Sequence, residues 1–568
     1  MKRALPVFAL LLACKGDKGG VAVDDTGSGP APYRPDLVCP GDAGCETNSG
    51  ALLAGASAVD ITPACFETWD DLDGSSTYSS SHDTFFDCGC DRLCPGDEGY
   101  PGPDDYEADG EFKGVWIAGF GSARAAQDIH DPTWARAIAL RSGDTTVALI
   151  SLDAVGWFNN DVDSIREKLV ADGVDVDHIT LSSTHTHETA DTLGQWGPRL
   201  GKSGVDADHR AQIIAGVAQA VTEAVAALEP ATMKSGVIDS AAPFPETGTR
   251  NTVRDSRDPV VIEERVYTAH FARSDGSTIA TLINWGNHPE AIGSENLSLS
   301  SDFAHYLRQG VEEGVRWESG DQAGLGGVAI YFNASVGGLM TPLGVTVTDF
   351  DGVAHEGETW EKTEALGKVI ASLALQAVAE SSVAADPTVS VRAQRLYVPV
   401  ENYGFQALFL VGVFDRPTFN YDPEQDINER NTPELLTEVN LVTVGPITML
   451  SVPGEATPEL SIGGYDGSRV NSPVVDFLDP TNPNPPDVSL APAGPYWKEQ
   501  MGGEYQWILG LGNDEIGYLI PPYDYELHPT SPYLIEADGD HYEETNSVGP
   551  SAVPLLQEAV TAITTWAP

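Results

Sequence analysis

From residue 112 onward the chain alternates two hydrophobic periods, and that alternation decides its fold class. "TTVALISL" (145–152) and "HITLSST" (178–184) are short, nearly unbroken apolar runs of the length expected for buried strands. Between them "DVDSIREKLVADG" carries helical spacing. Residues 207–228 set Ile213, Ile214, Val217, Val221, Ala224, Val225 and Leu228 along one helical face, ended by Pro230. Further strands are expected at 263–273, 278–285, 327–333, 388–400 and 441–451, and helices at 301–316, 360–381 and 551–565. The pattern implies one large α/β (α+β) domain over 51–568, a mixed sheet with helices packed on it. A chain of 568 residues can bury a large core, and no internal repeat is visible in it.

The N-terminus, "MKRALPVFALLLACKG", has two basic residues, a short apolar run and then "LLAC". This resembles a bacterial lipoprotein signal, in which residues 1–13 are removed and Cys14 is lipidated. The apolar run is too short to span a bilayer. Lys15 after the cysteine points to an exported lipoprotein of the outer membrane or cell surface, with a soluble body tethered to the membrane through Cys14. Residues 14–50, rich in Gly, Asp, Pro and Ser, read as a flexible linker.

Six further cysteines, Cys39, Cys45, Cys65, Cys88, Cys90 and Cys94, are an even set in an exported chain and imply three disulfides whose pairing sequence does not rank. A zinc cluster competes poorly, because "CGCDRLC" lacks paired CxxC spacing. Residues 65–111 read as a disulfide-rich loop region. Its Asp-rich stretches are of the kind that takes Ca2+, but without the ligand spacing of a known calcium loop.

Charge excludes one class of partner. With 31 basic and 85 acidic residues the formal charge is -54, which repels phosphate backbones, so no nucleic acid is expected as a partner.

Polar residues of one chemical kind stand where apolar runs end. "LSSTHTHETA" places His185 and His187 two apart after a strand-like run, where period-2 geometry would send both to one side. "TIATLINWGNHPEAIG" places His288, "ITMLSVPGEATPEL" places Glu455, and "WILGLGNDEIGYL" places Tyr518 in the same situation. Two His, a carboxylate and a phenolate form a borderline-hard N/O set suited to Zn2+. His130 in "DIHDP" is explained equally well by packing, and no role is assigned to it.

"STHTHE", "INWGNHP", "VPGEATPE" and "GLGNDEIGYL...HYEE", with "AVDITP" and "DIHDPTWARAIAL" before them, resemble in order the motifs of the neutral/alkaline non-lysosomal ceramidases over about 55–566. The resemblance covers the catalytic domain, without the C-terminal β-sandwich of many members. It implies one zinc ion per chain, held by His185, His288, Glu455 and Tyr518. It also implies that His187 contacts the reacting amide, with Arg250 (Arg254 being a close competitor), Thr341 and Tyr542 as catalytic residues. The implied reaction is hydrolysis of an N-acyl (sphingo)lipid to fatty acid and amine by zinc-activated water.

Three departures bear on the substrate. "ETADTLGQWGP" replaces the family's Gly-rich segment after the paired histidines, Thr341 stands where the family has a serine, and "ELHPTSPYLIEADGD" lengthens the stretch between the two tyrosines. They keep open an esterase or amidase for another envelope amphiphile. A catalytically idle surface-binding lipoprotein is the reading from a different class.

Overall fold

The computed structural model describes residues 35–241, 248–470 and 476–566. Cys14 and the signal lie outside them. After β1 (Leu37–Cys39) the chain runs β2 (Leu53–Asp60), β3 (Trp134–Ser142), β4 (Thr145–Leu152), α1 (Asn159–Ala171), β5 (His178–Ser183), α2 (Ala207–Ala226) and β6 (Glu229–Pro230). It continues with β7 (Thr232–Asp239), β8 (Arg265–Ala272), β9 (Thr278–Trp285), α3 (Phe303–Glu313), β10 (Val328–Asn333), α4 (Trp360–Glu380) and β11 (Ser382–Val383). The last part is β12 (Val389–Pro399), α5 (Tyr403–Leu410), β13 (Glu434–Val444), β14 (Ile447–Ser451), β15 (Tyr505–Leu509) and α6 (Ala552–Thr565).

The expected mixed architecture is present, but as three five-stranded sheets: β5-β4-β3-β2-β6, β10-β9-β8-β7-β11 and β15-β14-β13-β12-β1. Each is built the same way. Three consecutive strands run antiparallel and a crossover adds a fourth strand parallel to the third, giving the parallel pairs β4/β5, β9/β10 and β14/β15. A helix, α2, α4 or α6, then returns over the sheet; the short strand after it, β6 or β11, closes the far edge antiparallel in the first two sheets, and the N-terminal β1 does so in the third. The topology therefore repeats three times in a chain whose sequence shows no repeat. The third copy differs in its crossover, where α1 and α3 are replaced by the five-residue helix Pro458–Ile462 and loops.

The apolar runs follow from this layering. One core cluster joins the inner faces of all three sheets, with Leu149 from the first, Leu282 from the second and Met449 and Trp507 from the third. The outer face of the first sheet packs on α1 and α2, that of the second on α3 and α4, and that of the third on α6. Strands β4, β5 and β9 are thus covered on both sides. Every residue in them is buried, which is why they read as continuous runs rather than alternations.

Two departures from the sequence reading have local causes. The expected strand 441–451 is the end of β13 plus β14, a hairpin turned at Gly445 and Pro446, because proline cannot donate to the ladder. The linker expected to extend to residue 50 instead contributes β1, which pairs Leu37–Cys39 with Val391–Ala393. The cysteines pair Cys39–Cys45, Cys65–Cys90 and Cys88–Cys94, so one bridge lies by β1 and two lie in the 65–111 loop region. Among the described residues, no helix is long and apolar enough to cross a membrane.

Helix α2 begins at Asp206, whose carboxylate accepts from the N–H groups of Asp208 and His209. Its far end rests on Gly55 of β2, where a Cβ would lie 2.3 Å from the Ala224 carbonyl oxygen. Helix α4 rests in the same way on Gly236 of β7, where a Cβ would lie 2.2 Å from the Ala377 oxygen. In both units the helix backbone touches the sheet where no side chain intervenes. Gly55→Ala and Gly236→Ala are each expected to push a helix off its sheet at a cost of about 1–3 kcal/mol, read as a lowered midpoint in thermal unfolding.

Candidate metal centre

The loops that leave β5, β9, β10, β14 and β15 meet at one end of the three sheets. Asn333, the last residue of β10, holds two of them. Its fully buried amide donates to the carbonyl oxygens of Thr184 and Asn287 (2.9 Å each) and accepts from Asn287 N–H, so the residues before His185 and before His288 share one anchor. His187 N–H donates to the Pro289 carbonyl, which ties the two histidine loops together again. Glu455 and Tyr518 are directly opposite in a two-residue parallel bridge.

Four side chains point at one spot. Glu455 Oε2 lies 3.3 Å from His185 Nε2 and 3.1 Å from His288 Nε2, and His187 Nε2 lies 3.5 Å from His185 Nε2. The other ring nitrogens are occupied. His185 Nδ1 lies 2.5 Å from the Val155 carbonyl oxygen and His288 Nδ1 lies 2.7 Å from that of Met340. Because a carbonyl only accepts, each of these Nδ1 atoms carries a proton, and each Nε2 is left turned toward the common point. His187 Nδ1 lies 3.1 Å from Glu290 Oε2. Three imidazole Nε2 atoms and a carboxylate oxygen thus gather at one point, and the three imidazoles are close enough to bind one ion. This donor set fits a divalent metal.

The expected adjacency of His185 and His187 occurs for a different reason than strand alternation. Strand β5 stops at Ser183, and His185 sits at φ 66 in the left-handed region, which is unusual for a residue with a Cβ. That backbone turn lets both rings reach the same point, with centroids 5.0 Å apart.

Electrostatics follow burial. Burial lowers the His187 imidazole to about 4 despite Glu290 beside it, so the ring is neutral at pH 7. Burial pushes Glu455 upward, but His185 and His288 outweigh it and hold the carboxyl well below the usual range. Burial, then the Glu455 carboxylate, raises the Tyr518 phenol, and the same two causes raise Tyr542. Glu515 is raised well above the ordinary carboxylate range, first by burial and then by Glu455.

Two of the other sequence-derived candidates sit elsewhere. Thr341 is fully buried and does not line the pocket. Its hydroxyl donates to Glu290 Oε1, so it acts on the partner of His187. Arg250 is exposed on the turn Gly248–Asn251 and, with Arg254, lines a second cavity bounded by Asp255, Asp258 and Asp479. Tyr542 does line the pocket, its ring 6.1 Å from that of Tyr518. His130 stacks on Trp360 and bonds the Tyr306 hydroxyl, as packing would have it.

Sequence reasoning passed over Glu290, Asn333 and the pocket wall. Glu290 was visible in "GNHPE", two residues after His288, but nothing local says that it faces the ring of residue 187. The pocket has a cavity volume of about 70 Å³, with His185, His187 and Glu455 in its lining and Phe158, Leu193, Trp196, Phe405, Phe409 and Phe414 among its apolar walls. An apolar cleft with a few convergent polar groups is the usual form of a small-molecule site.

The fold is similar to two solved structures. One is neutral ceramidase from Pseudomonas aeruginosa, 14% identical, with TM-score 0.55 over 91% of this chain and 74% of that one. The other is a ceramidase complexed with C2, 13% identical, with TM-score 0.56 over 91% of this chain and 75% of that one. At such identity the likeness establishes the fold. No family model and no curated protein matches the sequence.

Because Glu290 lies against the His187 ring and Thr341 holds Glu290, Glu290→Ala is expected to lower catalytic turnover roughly 10- to 100-fold while divalent-metal affinity in chelator competition stays near the parent value. Thr341→Val should move turnover in the same direction. Thr341→Ser, which keeps the hydroxyl, should leave it near the parent value.

Proposed function

We propose that the chain is a zinc-dependent hydrolase of N-acyl lipids, cleaving the amide to a fatty acid and an amine. The observation that carries this reading is the convergence of three imidazole Nε2 atoms and the Glu455 carboxylate at an aromatic-walled pocket. The ceramidase-like fold supports an amide substrate, and the N/O donor set supports zinc over calcium or magnesium, which prefer all-oxygen sites. Export and a membrane tether through Cys14 belong to the same proposal.

His185, His288, Glu455 and Tyr518 would hold the ion, which supplies Lewis-acid activation of water and of the amide carbonyl when bound. The protein's own groups do the rest. His187, neutral and held from behind by Glu290, addresses the amide with its Nε2. The Tyr542 hydroxyl, protonated at neutral pH, donates to the oxygen that gains negative charge. The aromatic walls take the acyl chain and exclude bulk water, which strengthens every polar contact at the reacting centre. Thr341 contributes through Glu290, and nothing in the geometry brings Arg250 to the reaction.

The test is metal removal and return. Protein stripped by a chelator should release no fatty acid from a fluorescent N-acyl sphingosine, and zinc should restore release. His185→Ala and Glu455→Gln should each lower kcat/KM by about 10²-fold or more. Release that is indifferent to metal would sink the proposal, while activity on O-acyl esters but not on amides would move it to the esterase reading.

A further inference from the structure

Helix α5 is apolar on every side, yet none of its residues is buried. Its sequence, "YGFQALFL", holds one amide side chain, Gln406, and that amide turns back to donate to the Val400 carbonyl. On its inner side Phe405 and Phe409 line the pocket. On its outer side stand Tyr403 and Ala407, then Leu410 at 63% and Val411 at 55% exposure. A helix that is hydrophobic all round is ordinarily enclosed, and this one is enclosed on one side alone.

The helix is fixed, so its exposure is built in. The Asn402 carboxamide caps it by accepting from the N–H groups of Gly404 and Phe405, while its amide donates to the carbonyls of Thr545 and Ser547, whose neighbours Asn546 and Val548 line the pocket. Beside it lies the segment that lengthens the chain between Tyr518 and Tyr542. Tyr533 meets the Tyr403 ring edge-on at 5.6 Å, Leu534 packs over Gly404, and Leu534 and Ile535 are 61% and 52% exposed. Two segments far apart in sequence thus form one apolar rim at the mouth of the pocket. Exposed acids follow the second segment directly, Glu536 and Asp538 after Ile535, while Asp415, five residues beyond α5, pairs with Arg210.

We propose that this rim, α5 with residues 533–535, is a docking surface for a zwitterionic lipid bilayer, from which a substrate chain passes along Phe405 and Phe409 into the pocket. The inference rests on the reading of the pocket as a lipid site. Continuity is the argument for a lipid occupant: the same helix supplies the pocket wall on one side and the uncovered face on the other. Charge selects the lipid, because the flanking carboxylates on a chain of net charge -54 disfavour anionic headgroups.

The test uses the full chain carrying Cys14→Ser, so that no acyl anchor contributes, floated with vesicles of phosphatidylcholine alone or mixed with phosphatidylglycerol. The parent should float with the first and bind the second more weakly. The pair Leu410→Glu with Val411→Glu, and separately Leu534→Asp with Ile535→Asp, should each cut the bound fraction about tenfold with the thermal midpoint unchanged. Both pairs should keep the parent rate on a short-chain, water-soluble N-acyl substrate. Equal flotation of parent and variants, no flotation of the parent, or self-association in the ultracentrifuge that the variants abolish would each overturn the docking surface. Flotation needs no turnover. A chain that docks through this rim but hydrolyses nothing refutes only the hydrolase, and one that hydrolyses the soluble substrate but ignores vesicles refutes only the rim.

Discussion

The buried amide of Asn333 is the contact on which the rest of the centre depends. It sits at the end of the parallel strand of the second sheet and binds the backbone just before His185 and just before His288. Those two loops come from different sheets, so no local preference sets their separation. Removing the amide would leave buried carbonyls unpaired, at roughly 1–3 kcal/mol each, and would free the histidines from one another.

A threefold repetition of topology explains why the centre lies where it does. Each sheet ends its antiparallel run with a parallel crossover, and loops leaving the third or fourth strand carry the polar residues: His185 after β5, His288 after β9, Glu455 after β14 and Tyr518 after β15. Sharing one core brings these ends together. The first sheet gives two histidines, the second one histidine and Asn333, and the third the carboxylate and the phenol. The plan repeats in the packing without repeating in the sequence, with Gly55 and Gly236 as the paired marks where helix backbone meets sheet.

Around this rigid centre the walls are of a different character. Phe158, Phe405, Phe409 and Phe414 form a cluster of their own with Leu193 and Trp196, contributed by loops and by α5 rather than by the sheets. A strongly acidic surface and an apolar mouth are opposite demands on one molecule, and the chain meets them by segregation, with carboxylates beginning immediately beyond the rim. The same division appears inside, where His187 is neutral while Glu455 stays ionised a few ångströms away, because one is governed by burial and the other by its two imidazole neighbours.

The sequence alone determined the element types, because unbroken apolar runs and helical stripes are set by burial on two faces or one. Strands β4 and β9 carry their expected bounds, and α4 ends within one residue of its expectation. It also marked His185, His187, His288, Glu455 and Tyr518 as residues of one kind at strand ends, since a polar side chain directly after an apolar run has little structural reason to be there. It could not show that the mixed sheet is three sheets, that 441–451 folds back on itself, or that α5 exists, because an eight-residue apolar segment has no period of its own to read. Only the tertiary structure joined Glu290 to His187 and Thr341 to Glu290, moved Arg250 to another cavity, and set Asn333 between two loops. Those pairings are made across sheets, and the distance between two sheets is fixed by the core they share, which no local stretch of sequence encodes.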